Sequence, residues 1–163
     1  EPLTVAQSLP NIDGMVIVTT PQQVALLDSR KSITFSESLK VPVLGVVENM
    51  SGYTVQGTAE PGSSFSVAGP GGKTVDATAD KEGRFQFTLD IFKEGGGKST
   101  AEELGVPFLG ALPFDPGFVR GGDDGVHRIV SDPEGASAIA FAKVVSAIQE
   151  QLGNGSDDGL EII

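Results

Sequence analysis

The sequence predicts an α/β fold: a partial doubly wound, mainly parallel sheet flanked by helices, with an inserted antiparallel β module. Three observations carry this reading. Two continuous apolar runs, Met15-Val16-Ile17-Val18-Thr19 and Val41-Pro42-Val43-Leu44-Gly45-Val46-Val47, are separated by one helix-length segment. A stretch of apolar and polar alternation then fills residues 54–89, and a further apolar run is followed by an amphipathic helix. Continuous apolar runs suit strands buried on both faces, and two of them joined by a helix imply a right-handed βαβ crossover.

Each element has its own local cause. Thr20-Pro21-Gln22-Gln23 offers a capping threonine, a proline at the first helical position and a glutamine three residues past the cap, so a helix is expected through about residue 39. Phe65 and Val67, then Val75, Ala77 and Ala79, then Phe85, Phe87 and Leu89 alternate with polar residues, as strands with one dry face do. The breaks Gly69-Pro70-Gly71-Gly72 and Asp80-Lys81-Glu82-Gly83 supply turn residues, which predicts two hairpins or a meander. After Ile91 come a glycine-rich turn, a short helix near 99–104 and a strand over 106–112. Asp132-Pro133-Glu134 opens a last helix whose apolar stripe is Ala138, Phe141, Val145, Ile148 and Leu152. The expected organisation is an α/β domain over 1–53 and 91–152, a β insert over 54–90 and a frayed tail over 153–163.

Composition excludes several function classes. Twenty-two acidic residues against 11 basic ones leave a net charge of −11, which repels nucleic acid and anionic membrane surfaces alike. With no cysteine there is no disulfide framework, thiolate metal site or cysteine nucleophile. No run reaches the roughly 18 apolar residues that a membrane span needs, and Glu1-Pro2-Leu3 lacks the start of a signal peptide, so a cytoplasmic protein is expected.

Several phrases carry a family resemblance. Asp13-Gly14-Met15-Val16-Ile17-Val18-Thr19-Thr20-Pro21-Gln22, Val41 to Val47 continued by Glu48-Asn49-Met50-Ser51, Glu102-Glu103-Leu104-Gly105-Val106-Pro107-Phe108-Leu109-Gly110 and Leu112-Pro113-Phe114-Asp115-Pro116 together resemble the Mrp family of iron–sulfur carrier ATPases, relatives of MinD and ParA. The likeness covers about 1–53 and 91–150 and corresponds to the C-terminal half of the family fold. It implies a doubly wound sheet and an ATP-dependent homodimer that holds and transfers a cluster. It also implies that the family's phosphate loop and switch aspartates correspond to positions before Glu1. The family's Cys-x-x-Cys pair falls where this chain has 55–89 without a cysteine, so no iron–sulfur cluster held in the family manner is expected. That replacement, from Val55-Gln56-Gly57-Thr58 through Gly83-Arg84-Phe85, resembles part of a bacterial Ig-like repeat, as in a chimera, a designed chain or a natural insertion. At its length it is expected to borrow a surface to cover its apolar face.

The resemblance places Asn49 where related ATPases face the adenine base, and Pro113, Phe114 and Asp115 in the loop that closes over it. The residues' own chemistry favours capping or turn roles for Asn49 and Asp115. Lys93-Glu94-Gly95-Gly96-Gly97-Lys98-Ser99-Thr100 admits two readings. In one, Gly95 and Gly97 cradle phosphate, Lys98 reaches it and Ser99 takes magnesium, giving an ATP- and Mg-binding P-loop ATPase. In the other, favoured because Phe92 and Glu94 break the motif, it is a turn and helix start. His127 lacks companions at ligand spacing, and Asp115, Asp123 and Asp124 match no calcium loop, so neither catalytic nor metal residues are expected. The expected function is a truncated or recombined carrier-family domain without ATPase or cluster-carrying activity of its own. The rivals are an ATPase using the loop 95–100 and a binding or structural role for the β insert. An unpaired sheet edge would favour a homodimer or segment swap.

Overall fold

The computed structural model describes residues 4, 6, 8, 9, 11–69, 72–92 and 96–153. The elements run β1 (Met15–Thr19), α1 (Gln23–Ser38), β2 (Val43–Glu48), β3 (Tyr53–Thr58), β4 (Ser64–Ala68), β5 (Thr74–Thr78), β6 (Arg84–Leu89), α2 (Gly96–Leu104), β7 (Phe108–Ala111), α3 (Pro116–Asp124), α4 (Arg128–Ser131) and α5 (Ala136–Gln151). Strands β1, β2 and β7 form a parallel sheet in that order, with β2 central.

Adjacent residues of β2 point to opposite faces and seed two cores. Val46, with no exposed surface, packs with Ile17, Ile33 and Ala101 beneath α1 and α2. Val47 packs with Leu109 and Val144 beneath α5. The central strand is thus covered on both faces, as its continuous apolar run requires, while Val18 of the edge strand β1 stays exposed. Among the described residues no helix is long and apolar enough to cross a membrane.

Helix α1 starts later than its sequence signal. Gln22, not Thr20, is the N-cap, and no side chain caps it. Pro21 is fully buried, with its carbonyl close against Gly96, so the chain makes its turn there before helical bonding begins with Leu26 N–H to the Gln22 carbonyl. Helix α5 is rotated from the expected stripe: Val144 is buried instead of Val145, while Phe141 and Leu152 are exposed. The cause lies in β7, where a side chain at Gly110 would place its Cβ 2.8 Å from Val144. Glycine leaves the hollow into which Val144 seats.

The β module is a nested pair of ladders. Strand β3 pairs with β6 and β4 with β5, all antiparallel, so the β4–β5 hairpin lies between the partners of the outer ladder. The two sheets face each other: Phe65 meets Phe85 edge-on at 4.8 Å between ring centroids, and Ala77 and Ala79 are buried. Gly57 accommodates the Phe85 ring, which would lie 2.7 Å from a Cβ there. The module therefore closes its own apolar face, where the sequence suggested a borrowed surface; two short ladders stacked face to face provide the second layer.

Gly45 shows how closely β2 and β7 approach. Its φ is +150°, and an added Cβ would lie 2.5 Å from the Pro107 carbonyl oxygen, which the Val46 N–H already holds at 2.8 Å. Gly45→Ala is expected to lower stability by about 3 kcal/mol, read as a reduced urea midpoint with an unchanged slope.

Candidate functional site

At the carboxyl end of the sheet, β2 and β7 deliver two loops that are laced together. Leu112 N–H donates to the Glu48 carbonyl at 2.7 Å, Ser51 N–H to the Leu112 carbonyl at 2.9 Å and Phe114 N–H to the Gly52 carbonyl at 2.7 Å. Asn49 N–H donates to the Thr19 carbonyl of β1, and the Asn49 Oδ1 accepts from Met50 N–H at 2.9 Å. This bond supports the left-handed Met50 at φ +58° and leaves the side-chain NH₂ as the remaining polar group of Asn49.

Between the loops lies a cleft of about 340 Å³ lined by Asn49, Met50, Leu112, Pro113, Phe114 and Asp115, with Phe118 and Val119 of α3 and Ser137 and Phe141 of α5. The structure brings Asn49, Pro113, Phe114 and Asp115 to one site. Its lining is largely apolar, with Asn49, Asp115 and Ser137 supplying the polar side chains.

Asp115 organises one wall. Its Oδ1 accepts from Gly117 N–H at 2.7 Å, making it the N-cap of α3 ahead of Pro116, and its Oδ2 accepts from Arg128 Nε at 3.0 Å and Ser137 Oγ at 2.8 Å. Burial pushes its carboxyl up, but the hydrogen bonds from Ser137, Gly117 and Arg128 outweigh it and hold the group below its ordinary 3.8. The same hydrogen bond raises Arg128, whose other end meets Asp132 at 2.8 Å. One carboxylate thus joins α3, α4 and α5.

The glycine-rich run is arranged differently. Gly95 lies outside the described residues. Gly97 N–H donates at 2.6 Å to Glu48 Oε2, and Ser51 Oγ donates at 2.6 Å to Glu48 Oε1. The start of α2 therefore faces a carboxylate supplied by the chain itself, while Lys98 and Ser99 are exposed. Sequence reasoning missed Glu48; the available signal was a charged residue closing an otherwise apolar strand. His127 is exposed at the start of α4, and Asp123 and Asp124 are exposed in α3. Among the described residues no group of three or more His, Cys, Asp or Glu could hold a metal.

A family model described as ParA, NUBPL iron-transfer P-loop NTPase, matches residues 1–82 and 81–149. The chain belongs to this family. It is 36% identical over 152 residues to the iron–sulfur cluster carrier protein of Methanocaldococcus jannaschii, covering 93% of this chain and 42% of that protein. It is 38% identical over 150 residues to the carrier protein of a Synechocystis strain, covering 92% and 34%. The chain thus spans about two-fifths or less of these curated relatives. The fold resembles that of Pyrococcus horikoshii MinD, solved with Mg-ADP, with a TM-score of 0.54 at 19% identity over 89% of this chain and 44% of that one. The two matched stretches meet at 81–82, in the turn between β5 and β6.

Two substitutions test the site's frame. Glu48→Ala should cost about 2–3 kcal/mol and accelerate amide exchange at Gly97, whereas Glu48→Gln, which keeps an acceptor for that N–H, should cost less. Because the folded state lowers the Asp115 pKa, its contribution is present above the unfolded value and lost as pH falls through the folded one. Asp115→Ala should therefore destabilise by about 1–3 kcal/mol at pH 7. In denaturant titrations the gap from wild type should close as pH drops below 3.8.

Proposed function

We propose that this chain is the adenine-base side of a carrier-family nucleotide-binding domain, without ATPase or cluster-carrying activity of its own. The observation that supports this is the convergence of Asn49, Pro113, Phe114 and Asp115 on one apolar cleft at the carboxyl end of a parallel sheet, where open α/β folds take ligands. The Asn49 amide would read the base edge, and Pro113 and Phe114 would cover its face. The Mg-ADP bound by the MinD of similar fold supports ATP and Mg as the ligand class.

Iron–sulfur clusters are the cargo named for the relatives. The segment corresponding to their cysteine ligands does not fit one here. The chain has no cysteine. The exposed side chains of the module, such as Gln56, Ser66, Asp76 and Gln86, offer oxygen and nitrogen donors instead of thiolates. The module reads as a structural replacement of that segment. Glu48 on Gly97 supports reading the loop 95–100 as a helix start instead of a phosphate cradle. Val18 of β1 is 62% exposed, with Val24 and Leu27 of α1 also exposed, which supports pairing of that side with a second copy or a swapped segment.

Calorimetric titration with adenosine, ATP and guanosine tests this reading. Adenosine and ATP should bind with similar affinity and guanosine more weakly, and Asn49→Ala should weaken adenosine about tenfold, a loss of about 1.4 kcal/mol. Lys98→Ala should leave ATP binding unchanged. Absence of adenosine binding at millimolar concentration would overturn the base-cleft reading, and loss of ATP binding in Lys98→Ala would move the site to the glycine loop.

A further inference from the structure

We propose that Tyr53 is a positioning residue for the base cleft, and that the β module is coupled through it to whatever the cleft holds. This rests on the base-cleft reading above, and it starts from Phe114. That residue lines the cleft and also a second, more polar crevice of about 430 Å³ between the β3–β6 ladder and the segment around Arg128 and Ser137. Phe114 is therefore a partition with a cavity on each side.

The partition is held from the module side. Phe114 N–H donates to the Gly52 carbonyl at 2.7 Å, Phe114 and Tyr53 form a parallel bridge, and their rings meet edge-on at 6.1 Å between centroids. Gly52 is buried at φ +84°, and a Cβ there would lie 2.6 Å from Thr88 on β6, so the junction is pressed against the outer ladder. Asn49 and Met50, on the opposite wall, lead directly into β3.

The module packs chiefly on itself. Its strands make extensive contacts with one another, and among the described residues none makes an extensive contact with a helix or strand of the α/β domain. Among the described residues, the junction at 51–53 and 112–114 ties it to the domain through a backbone hydrogen bond, a bridge and the Tyr53–Phe114 ring contact. A tilt of the β3–β6 ladder reaches the cleft through Tyr53 and Phe114, and by linkage a base that fixes Phe114 restrains the ladder to the same degree.

The test uses the whole chain, isotope-labelled for NMR, as wild type, Tyr53→Phe, Tyr53→Leu and Tyr53→Ala, with adenosine as the probe. Tyr53→Phe keeps the edge-on ring and should behave as wild type. Tyr53→Ala should exchange the Phe114 amide at least about tenfold faster, shift the Asn49 side-chain and Phe141 resonances, and weaken adenosine about tenfold. Adenosine should move the Gln86 and Thr88 resonances of β6 in wild type and Tyr53→Phe but not in Tyr53→Ala at saturation. Tyr53→Leu keeps bulk without the ring and should fall between them, giving a folded comparison if the alanine variant unfolds. Wild-type Phe114 exchange and cleft resonances in both Tyr53→Ala and Tyr53→Leu would overturn the proposal. A wild type that ignores adenosine, while the Tyr53 variants still disturb Phe114 and Asn49, would sink the base reading and leave the coupling standing.

Discussion

Glu48 places a carboxylate in the interior at the end of the central strand, only 1% exposed. A buried charge without donors costs several kcal/mol, so its surroundings must supply them. Gly97 N–H and Ser51 Oγ do so from opposite sides, and the Glu48 carbonyl receives Leu112 N–H. One residue thereby joins β2, the start of α2, the turn after β2 and the loop after β7. The glycine at 97 follows from this geometry, since a Cβ there would lie 2.9 Å from that of Glu48.

The cleft depends on that frame. Its two loops are the segments that Glu48 and its neighbours tie together, and Asp115 draws α3 and α5 in to complete the far wall. Apolar residues that would otherwise be anomalous on a surface, such as Phe118 and Phe141, find a role as its lining. Chemistry and stability meet at the same carboxylates: Asp115 is at once helix cap, ion-pair partner and cleft wall.

The β module obeys a separate economy. Its outward residues are threonine, serine, glutamine and charged groups, its inward ones phenylalanine, valine and alanine, and its two ladders satisfy each other. This self-sufficiency explains how so different a segment sits between βαβ elements without disturbing the parallel sheet. On the β3 side, Gly52, Tyr53 and Phe114 link module and domain.

Much of this was legible along the chain, because local periodicity reports which faces are buried. The apolar runs of β1, β2 and β7, the alternation of the module and the amphipathic last helix specified element types and the α/β class by themselves. The family phrases pointed to Asn49, Pro113, Phe114 and Asp115 as neighbours. Tertiary packing alone decided the rest. Which valine of α5 faces inward depended on the hollow over Gly110, and where α1 begins depended on the burial of Pro21 against Gly96. Pairing β3 with β6 across the inner hairpin, and Glu48 with the start of α2 49 residues away, are long-range choices. Alternation and turn residues constrain only near neighbours, so such contacts are settled by which distant surfaces fit and which buried groups find donors.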